Sequence, residues 1–517
     1  MLNKKLLLIG LGLALLPFVG ATQTLKEVDI LIKNALVYDG MNNPPERVAV
    51  GVSGEKIAYI GERHEQLTAK YTIDAKGAVL SPGFIDPHTH ADRWLKDPGR
   101  KDVLPWVKQG VTTLFAGNDG FGPYDVQSTF EKIEKGGMGA NLALFVGFGT
   151  IRTKVLGKGD VQPTEKQMEE MKKLVKKGMN EGAIGFSTGL LYVPQRYSKT
   201  EEVIELSKTA AEYGAIYDSH IRSETGRMLE SVEEVLRIGK EANIPLHISH
   251  IKTAGARNWG KSEKAIKIIN KARAKGVNIT ANQYPFIASL TSMKTNLIPG
   301  WAQAGGNNKM LERFEDEVDL KRIKKHLQKR SDEANKKVML SSRDAAFDYL
   351  NGKTLYEVCQ EWKLPIEETV IKILKMSPAI SAISFSMAEE DILNFMKEPW
   401  VMTGSDGGGI HPRTFATFSK IIDHYTVREK VLELQQTIYR ATGLTAKTFN
   451  IKNRGSLKEG NYADLIIFNP ENIKTNSTFK DIEHFSDGMS YVLINGKIVI
   501  DDGEHTSVRA GKPVLKQ

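Results

Sequence analysis

Two histidines separated by one residue, in Pro87-His88-Thr89-His90, follow the apolar run Ala78-Val79-Leu80 and the stretch Gly83-Phe84-Ile85-Asp86. On extended backbone, side chains alternate in direction, so both imidazoles point the same way and can bind one ion. The same spacing also suits a surface turn with two solvated histidines. Downstream segments favour the metal. Tyr217-Asp218-Ser219-His220 and Leu246-His247-Ile248-Ser249-His250 each close a short apolar run on a histidine, and Val401-Met402-Thr403-Gly404-Ser405-Asp406 closes another on an aspartate. Imidazoles gathered with a carboxylate offer ligands to a divalent cation and a base beside it.

Such residues need a frame that brings strand ends together. Helix-period segments, 200–213 and 227–243 among them, separate the apolar runs, which is the alternation of parallel βαβ units. Eight strands are predicted, centred on Phe84, Leu114, Leu144, Ile184, Ile216, Ile248, Ile279 and Met402. Eight parallel strands predict a closed (β/α)8 TIM-like barrel, an α/β fold whose chemistry gathers at the C-terminal strand ends. A doubly wound open sheet would bring a Gly-rich phosphate turn after a strand. Gly117-Asn118-Asp119-Gly120-Phe121-Gly122 is the nearest match, and its glycines are wrongly spaced.

Several linked motifs carry a resemblance to a known family. They are Ser81-Pro82-Gly83-Phe84-Ile85-Asp86-Pro87-His88-Thr89-His90-Ala91-Asp92, Gly117-Asn118-Asp119-Gly120-Phe121 and Gly185-Phe186-Ser187-Thr188-Gly189-Leu190. Ser219-His220-Ile221-Arg222-Ser223-Glu224, Ser249-His250-Ile251-Lys252, Gly404-Ser405-Asp406-Gly407 and His411-Pro412-Arg413 complete the set. The chain resembles the amidohydrolase superfamily and, within it, the N-acyl-D-amino-acid deacylases, from about Val28 to Leu515.

The resemblance implies a metal-dependent hydrolase that cleaves the amide of an N-acyl-D-amino acid. It implies that His220 and His250 bind a tight zinc, that His88 and His90 form a second metal position, and that Asp406 is the catalytic aspartate. It also implies that Lys252, Tyr284, Ser289 and Arg413 hold the substrate carboxylate. The chain departs from the family at Asp119, where cysteine is usual. A carboxylate can bind the same ion or bridge two, but oxygen in place of sulfur weakens the preference for zinc over manganese or cobalt. Asn118-Asp119-Gly120 also forms turns without any metal. A carboxylated lysine at the end of the fourth strand marks the hydantoinase-like and dihydroorotase-like branches, and Ala183-Ile184-Gly185-Phe186-Ser187 contains none. Two other readings stay open: a dipeptidase acting on peptides with a C-terminal D-residue, and a non-catalytic binding barrel. Arg222 and His411 are expected to brace the site, and His247 to face away from it.

The 517 residues, 41% hydrophobic and 26% charged, have ordinary globular composition. Residues 1–21 read as a signal peptide, with Lys4-Lys5, an apolar run and Gly20-Ala21, and predict export to the periplasm or beyond. Residues 22–81 and 449–517 carry short alternating runs predicted to pack as one small β-sandwich from both chain ends, around a barrel spanning 82–448. Residues 288–346 read as an insertion that covers the barrel mouth or makes a solvated helical excursion. The formal charge of +9 is mild. Basic runs such as Lys172-Lys173 lack neighbouring aromatics, so no nucleic-acid partner is predicted. Cys359, the only cysteine, cannot form an intrachain disulfide. The expected ligands are a small N-acyl amino acid or short peptide and one or two divalent ions, zinc foremost.

Overall fold

The computed structural model describes residues 26–516; the signal-peptide segment lies outside them. Eight parallel strands form the central sheet: β1 (Phe84–Asp86), β2 (Val111–Ala116), β3 (Asn141–Gly147), β4 (Gly185–Gly189), β5 (Ile216–His220), β6 (Leu246–Ile248), β7 (Ile279–Gln283) and β8 (Val401–Thr403). They run in spatial order from β1 to β8. Just beyond the strand ends, Asp406 N donates to His88 O at 2.8 Å and His90 N to Gly407 O at 2.6 Å, joining the last segment to the first. The result is a TIM barrel, and the bonds that close it belong to the segments carrying His88, His90 and Asp406.

Parallel strands covered on both faces read as continuous apolar runs, and every residue of β2 and β3 is buried. The two-residue period still sorts their side chains. Leu114, Leu142, Leu144 and Val146 join the large core shared with the surrounding helices. Phe115, Ala143 and Phe145 face a second cluster that includes Leu444, Phe449 and Ile451 from the C-terminal segment. The helices are amphipathic at helical spacing. Glu165–Asn180 opens on a capping box between Thr164 and Gln167 and buries Met171, Val175, Gly178 and Met179. Met228–Ala242 ends on Asn243 in the left-handed conformation.

Of the three further sheets among the described residues, two are built from the chain ends. One has four strands from residues 26–74; the other joins Leu36–Val37 and Val79–Pro82 to strands between Leu465 and His505. Their facing side chains share one core, with Ile32, Val50, Val52, Leu80, Leu465, Ile467 and Leu493, so both ends of the chain build one β-sandwich.

A polar network ties that sandwich to the barrel. Asp464 is buried against Arg454, accepts from Asn141 Nδ2 at 3.1 Å at the start of β3, and accepts from Asn495 N at 2.8 Å. Arg454 Nη2 donates to Asn495 Oδ1 at 2.8 Å.

Between β7 and β8 the chain leaves the barrel. Ala288–Ser292, Ser381–Phe385 and Val338–Ser341 form an antiparallel sheet of their own. Its helices bury Met293, Leu297, Phe314, Ile323, Val358 and Leu374 in a separate core. This lobe reaches Phe385, beyond the end at residue 346 expected from sequence. The helices at Leu355–Trp362 and Ile366–Met376 resemble barrel helices in their pattern but bury their apolar faces within the lobe. Among the described residues, no helix is long and apolar enough to cross a membrane.

Breaking the buried pair by Asp464→Ala leaves Arg454 uncompensated, at an expected cost of about 3–5 kcal/mol. Urea unfolding of the variant should show that loss, whereas a midpoint equal to wild type would mean that the network does not hold the two parts together.

Candidate active site

All six predicted metal and catalytic residues come from C-terminal strand ends. His88 and His90 follow β1, Asp119 follows β2, His220 ends β5, His250 follows β6 and Asp406 follows β8. Three of them sit in left-handed backbone: Asp119 at φ 58°, His250 at φ 35° and Asp406 at φ 49°. That conformation costs a non-glycine residue about 1–2 kcal/mol, so the surroundings must impose it. His250 N donates to Asn282 Oδ1 at 2.8 Å, and Asp406 N is held by His88 O. The Asp119 carbonyl accepts from the buried Gln195 Nε2 at 2.9 Å, while Gln195 Oε1 accepts from Gly189 N at 2.6 Å. Gly120, at φ 74°, leaves room for that clamp: a Cβ there would lie 2.1 Å from Gln195 Oε1. The Asn-Asp-Gly turn and the inward carboxylate are therefore one feature.

Asp119 is the hub. Its Oδ1 lies 3.4 Å from His250 Nε2, 3.5 Å from His88 Nε2 and 3.9 Å from His220 Nδ1, and its Oδ2 lies 3.6 Å from His90 Nε2. Asp406 Oδ1 faces His90 at 3.4 Å and His88 at 3.6 Å, and its Oδ2 pairs with Arg413 Nη1 at 2.8 Å. Potential ligand atoms of His88, Asp119, His250 and Asp406 all lie within 4.8 Å of one another, and a second group joins His220, Glu224 and His250. Asp119 Oδ1 and His88 Nε2 are buried without a hydrogen-bond partner. Buried unsatisfied polar atoms are costly, and these two converge on the place a cation would fill. The donor set, imidazole and carboxylate, fits a divalent ion.

Electrostatics favour an ion at two of the imidazoles, whereas at His250 burial and Lys252 are outweighed by the Asp406, Glu224 and Asp119 carboxylates, which raise it to about 9, so an ion there displaces a proton. Burial pushes His88 and His220 down to about 4, outweighing the nearby carboxylates, so both are neutral and ligand-competent near neutral pH. Burial would raise the Asp119 carboxyl, but His88 and His250 hold it well below the usual range. Asp406 is likewise held down against its burial, by Arg413 and His250.

The predicted carboxylate-binding residues are placed unequally. Arg413 lies on the helix Pro412–Lys420, whose N-cap His411 accepts from Arg413 N at 3.0 Å. Its guanidinium sits 4.8 Å from the Tyr284 ring, and its Nε has no hydrogen-bond partner. Lys252 Nζ lies 5.4 Å from the same ring but donates to Glu224 Oε1 at 2.5 Å. Ser289 is half-buried on the lobe strand, opposite Ser384. Arg222 is bound by Glu234, and His247 by Thr280 and Asn282 inside the barrel.

Sequence reasoning assigned no role to Glu224, although its motif was in view. The carboxylate stands 3.1 Å from His250 Nδ1 and 3.7 Å from His220 Nε2, the nitrogens opposite those turned toward Asp119. Glu224 and Lys252, whose Nζ lies 2.8 Å from the same His250 nitrogen, flank one imidazole, while His220 Nε2 has no hydrogen-bond partner. Asp86 was missed as well. It accepts from Ser405 N at 2.9 Å and His88 N at 3.2 Å, bracing the barrel seam, while burial pushes it up to about 7. A cavity of about 700 Å³ opens onto the site, lined by His90, Asp119, Asp406 and Arg413 on the barrel side and by lobe residues including Leu290 and Ser341 on the other.

The chain matches the Amidohydrolase family over residues 79–499. It is 30% identical to a D-aminoacylase of Alcaligenes xylosoxydans xylosoxydans, over 94% of this chain and 98% of that one. It is 29% identical to an N-acyl-D-glutamate deacylase of the same organism, over 91% and 93%. The crystal structure of the N-acyl-D-glutamate deacylase from Bordetella bronchiseptica, complexed with zinc and a phosphonate inhibitor, superposes with a TM-score of 0.82 at 26% identity, covering 95% of this chain and all of that one. The chain belongs to the amidohydrolase family and is an enzyme of its N-acyl-D-amino-acid deacylase branch.

Proposed function

We propose that this enzyme hydrolyses the amide of N-acyl-D-amino acids, releasing a carboxylate and a free D-amino acid. The observation that carries the reading is the position of Asp406, whose carboxylate stands between the histidine cluster and Arg413 on the wall of the cavity. A binding module would need a cation and Arg413 but no proton acceptor between them, and Asp406 is placed to be one.

Asp119, His220 and His250 would hold the principal ion, zinc, with His88 and His90 turned to a second position. When bound, a divalent ion lowers the pKa of water toward neutrality and polarises a carbonyl. Asp406 accepts the proton of the attacking water and passes it to the amide nitrogen, which then departs as an amine. Glu224, with Lys252, keeps His250 turned toward Asp119. Arg413 grips the carboxylate next to the scissile nitrogen, and Tyr284 beneath it keeps the guanidinium in place. Lys252 adds positive charge while tied to Glu224, and Ser289 supplies a hydroxyl from the lobe. The lobe excludes water from above. Export is part of the same proposal and is supported by the sequence of residues 1–21.

Three measurements test these roles. Asp406→Asn keeps the shape but removes the base, so kcat should fall about a hundredfold or more with metal content unchanged. Loss of metal, with normal turnover in the fraction that retains it, would make Asp406 a ligand only. Asp119→Cys should raise the preference for zinc over manganese and cobalt in competition dialysis; an unaltered preference would leave Asp119 as a turn residue. Glu224→Gln should weaken metal binding about 10–100-fold, and an affinity equal to wild type would show that His250 needs no brace from Glu224.

A further inference from the structure

The cavity that opens on Asp406 carries more positive charge than one substrate carboxylate requires. Besides Arg413, its lining includes Arg93, Arg100 and Arg343. Arg100 and Arg343 lie against the same indole, their guanidinium carbons 5.0 and 4.9 Å from the Trp94 ring. Arg343 Nη2 and Trp94 Nε1 both donate to Gly408 O, at 3.2 and 3.1 Å. Gly408 is two residues past Asp406, so Arg343 is moored to the loop that presents the proposed base.

Of the four acids in the same lining, Asp119 and Asp406 face the histidines and Arg413, and the other two have partners of their own. Asp97 is paired with Arg100 at 3.4 Å, and Asp344 caps the turn that follows it by accepting from Ala346 N at 3.1 Å. Among the described residues, neither Arg93 nor Arg343 forms an ion pair with a carboxylate. All three arginines reach solvent at the cavity mouth; partial burial of the Arg343 guanidinium, with Arg100 and Arg93 nearby, lowers it below its ordinary value, and the Glu483 carboxylate offsets only part of that. Like charges brought together on one wall repel unless an anion lies among them, and guanidinium groups suit a carboxylate.

We propose that Arg343, with Arg93 and Arg100, forms a second anion subsite, and that the substrate carries a carboxylate in addition to the one gripped by Arg413. This inference rests on the deacylase reading and narrows its substrate class to dianions. The second carboxylate has two possible sources, an acidic side chain on the D-residue or a dicarboxylic acyl group. Trp94 holds two guanidiniums by cation–π contact, which keeps them at the wall when no anion is present.

Steady-state kinetics of the metal-loaded full chain separate the cases. N-acetyl-D-glutamate and N-acetyl-D-glutamine differ in the side-chain carboxylate, and N-succinyl-D-leucine and N-acetyl-D-leucine differ in the acyl carboxylate. One dianion should exceed its monoanionic partner about tenfold or more in kcat/KM, and Arg343→Gln should remove that advantage through KM while moving the monoanionic substrate less than about twofold. The pair that responds identifies the source. Hydrolysis that favours both monoanionic substrates, or a variant that slows all four alike, overturns the subsite and leaves the deacylase reading intact. If none of the four is hydrolysed, the deacylase reading fails, and calorimetry with N-acetyl-D-glutamate and N-succinyl-D-leucine decides the subsite alone. Binding lost in Arg343→Gln supports the subsite, and no binding to the wild type overturns it.

Discussion

A buried carboxylate ringed by imidazoles governs this active site. Asp119 reaches toward four histidines at 3.4 to 3.9 Å, distances too long for good hydrogen bonds. Its Oδ1 and the facing His88 nitrogen are removed from water without a partner. A divalent cation resolves that arrangement by accepting lone pairs from oxygen and nitrogen together. The rest of the barrel mouth serves to keep these groups converging.

That convergence depends on the barrel closing where it does. The β1 and β8 segments are joined through His88, His90, Asp406 and Gly407, so the bonds that complete the fold also set the spacing between metal residues and base. Asp86 sits behind this seam and ties Ser405 to His88. Left-handed backbone at Asp119, His250 and Asp406 turns each side chain inward immediately after its strand. Gln195 and Asn282 hold two of those turns from neighbouring segments. Rigid strands thus deliver side chains whose final direction is fixed by short, strained turns.

The barrel was legible because its parallel strands are buried on both faces and read as apolar runs ending in polar residues. The predicted centres at Leu114, Leu144, Ile216, Ile248, Ile279 and Met402 all fall inside strands, and Ile184 adjoins one. Asp119 was legible as a departure from a motif, although its turn and ligand readings looked like alternatives until the backbone showed one conformation serving both. The end of the lobe was not legible, since an amphipathic helix does not declare which core it faces, and Leu355–Trp362 and Ile366–Met376 face their own. Nor was the pairing of Lys252 with Glu224, or the Gln195 clamp. Each joins residues that no local pattern relates, and only the packed fold brings them within reach.

The central claim is that the Asp119 carboxylate is a ligand at the heart of a metal site. Anomalous diffraction at the zinc edge, from crystals of the zinc-loaded protein, tests it directly. The account predicts an ion about 2.0–2.2 Å from an Asp119 oxygen and bound also by His220 and His250 nitrogens. An ion held by the histidines with Asp119 turned away, or no ordered ion among these residues, would contradict it.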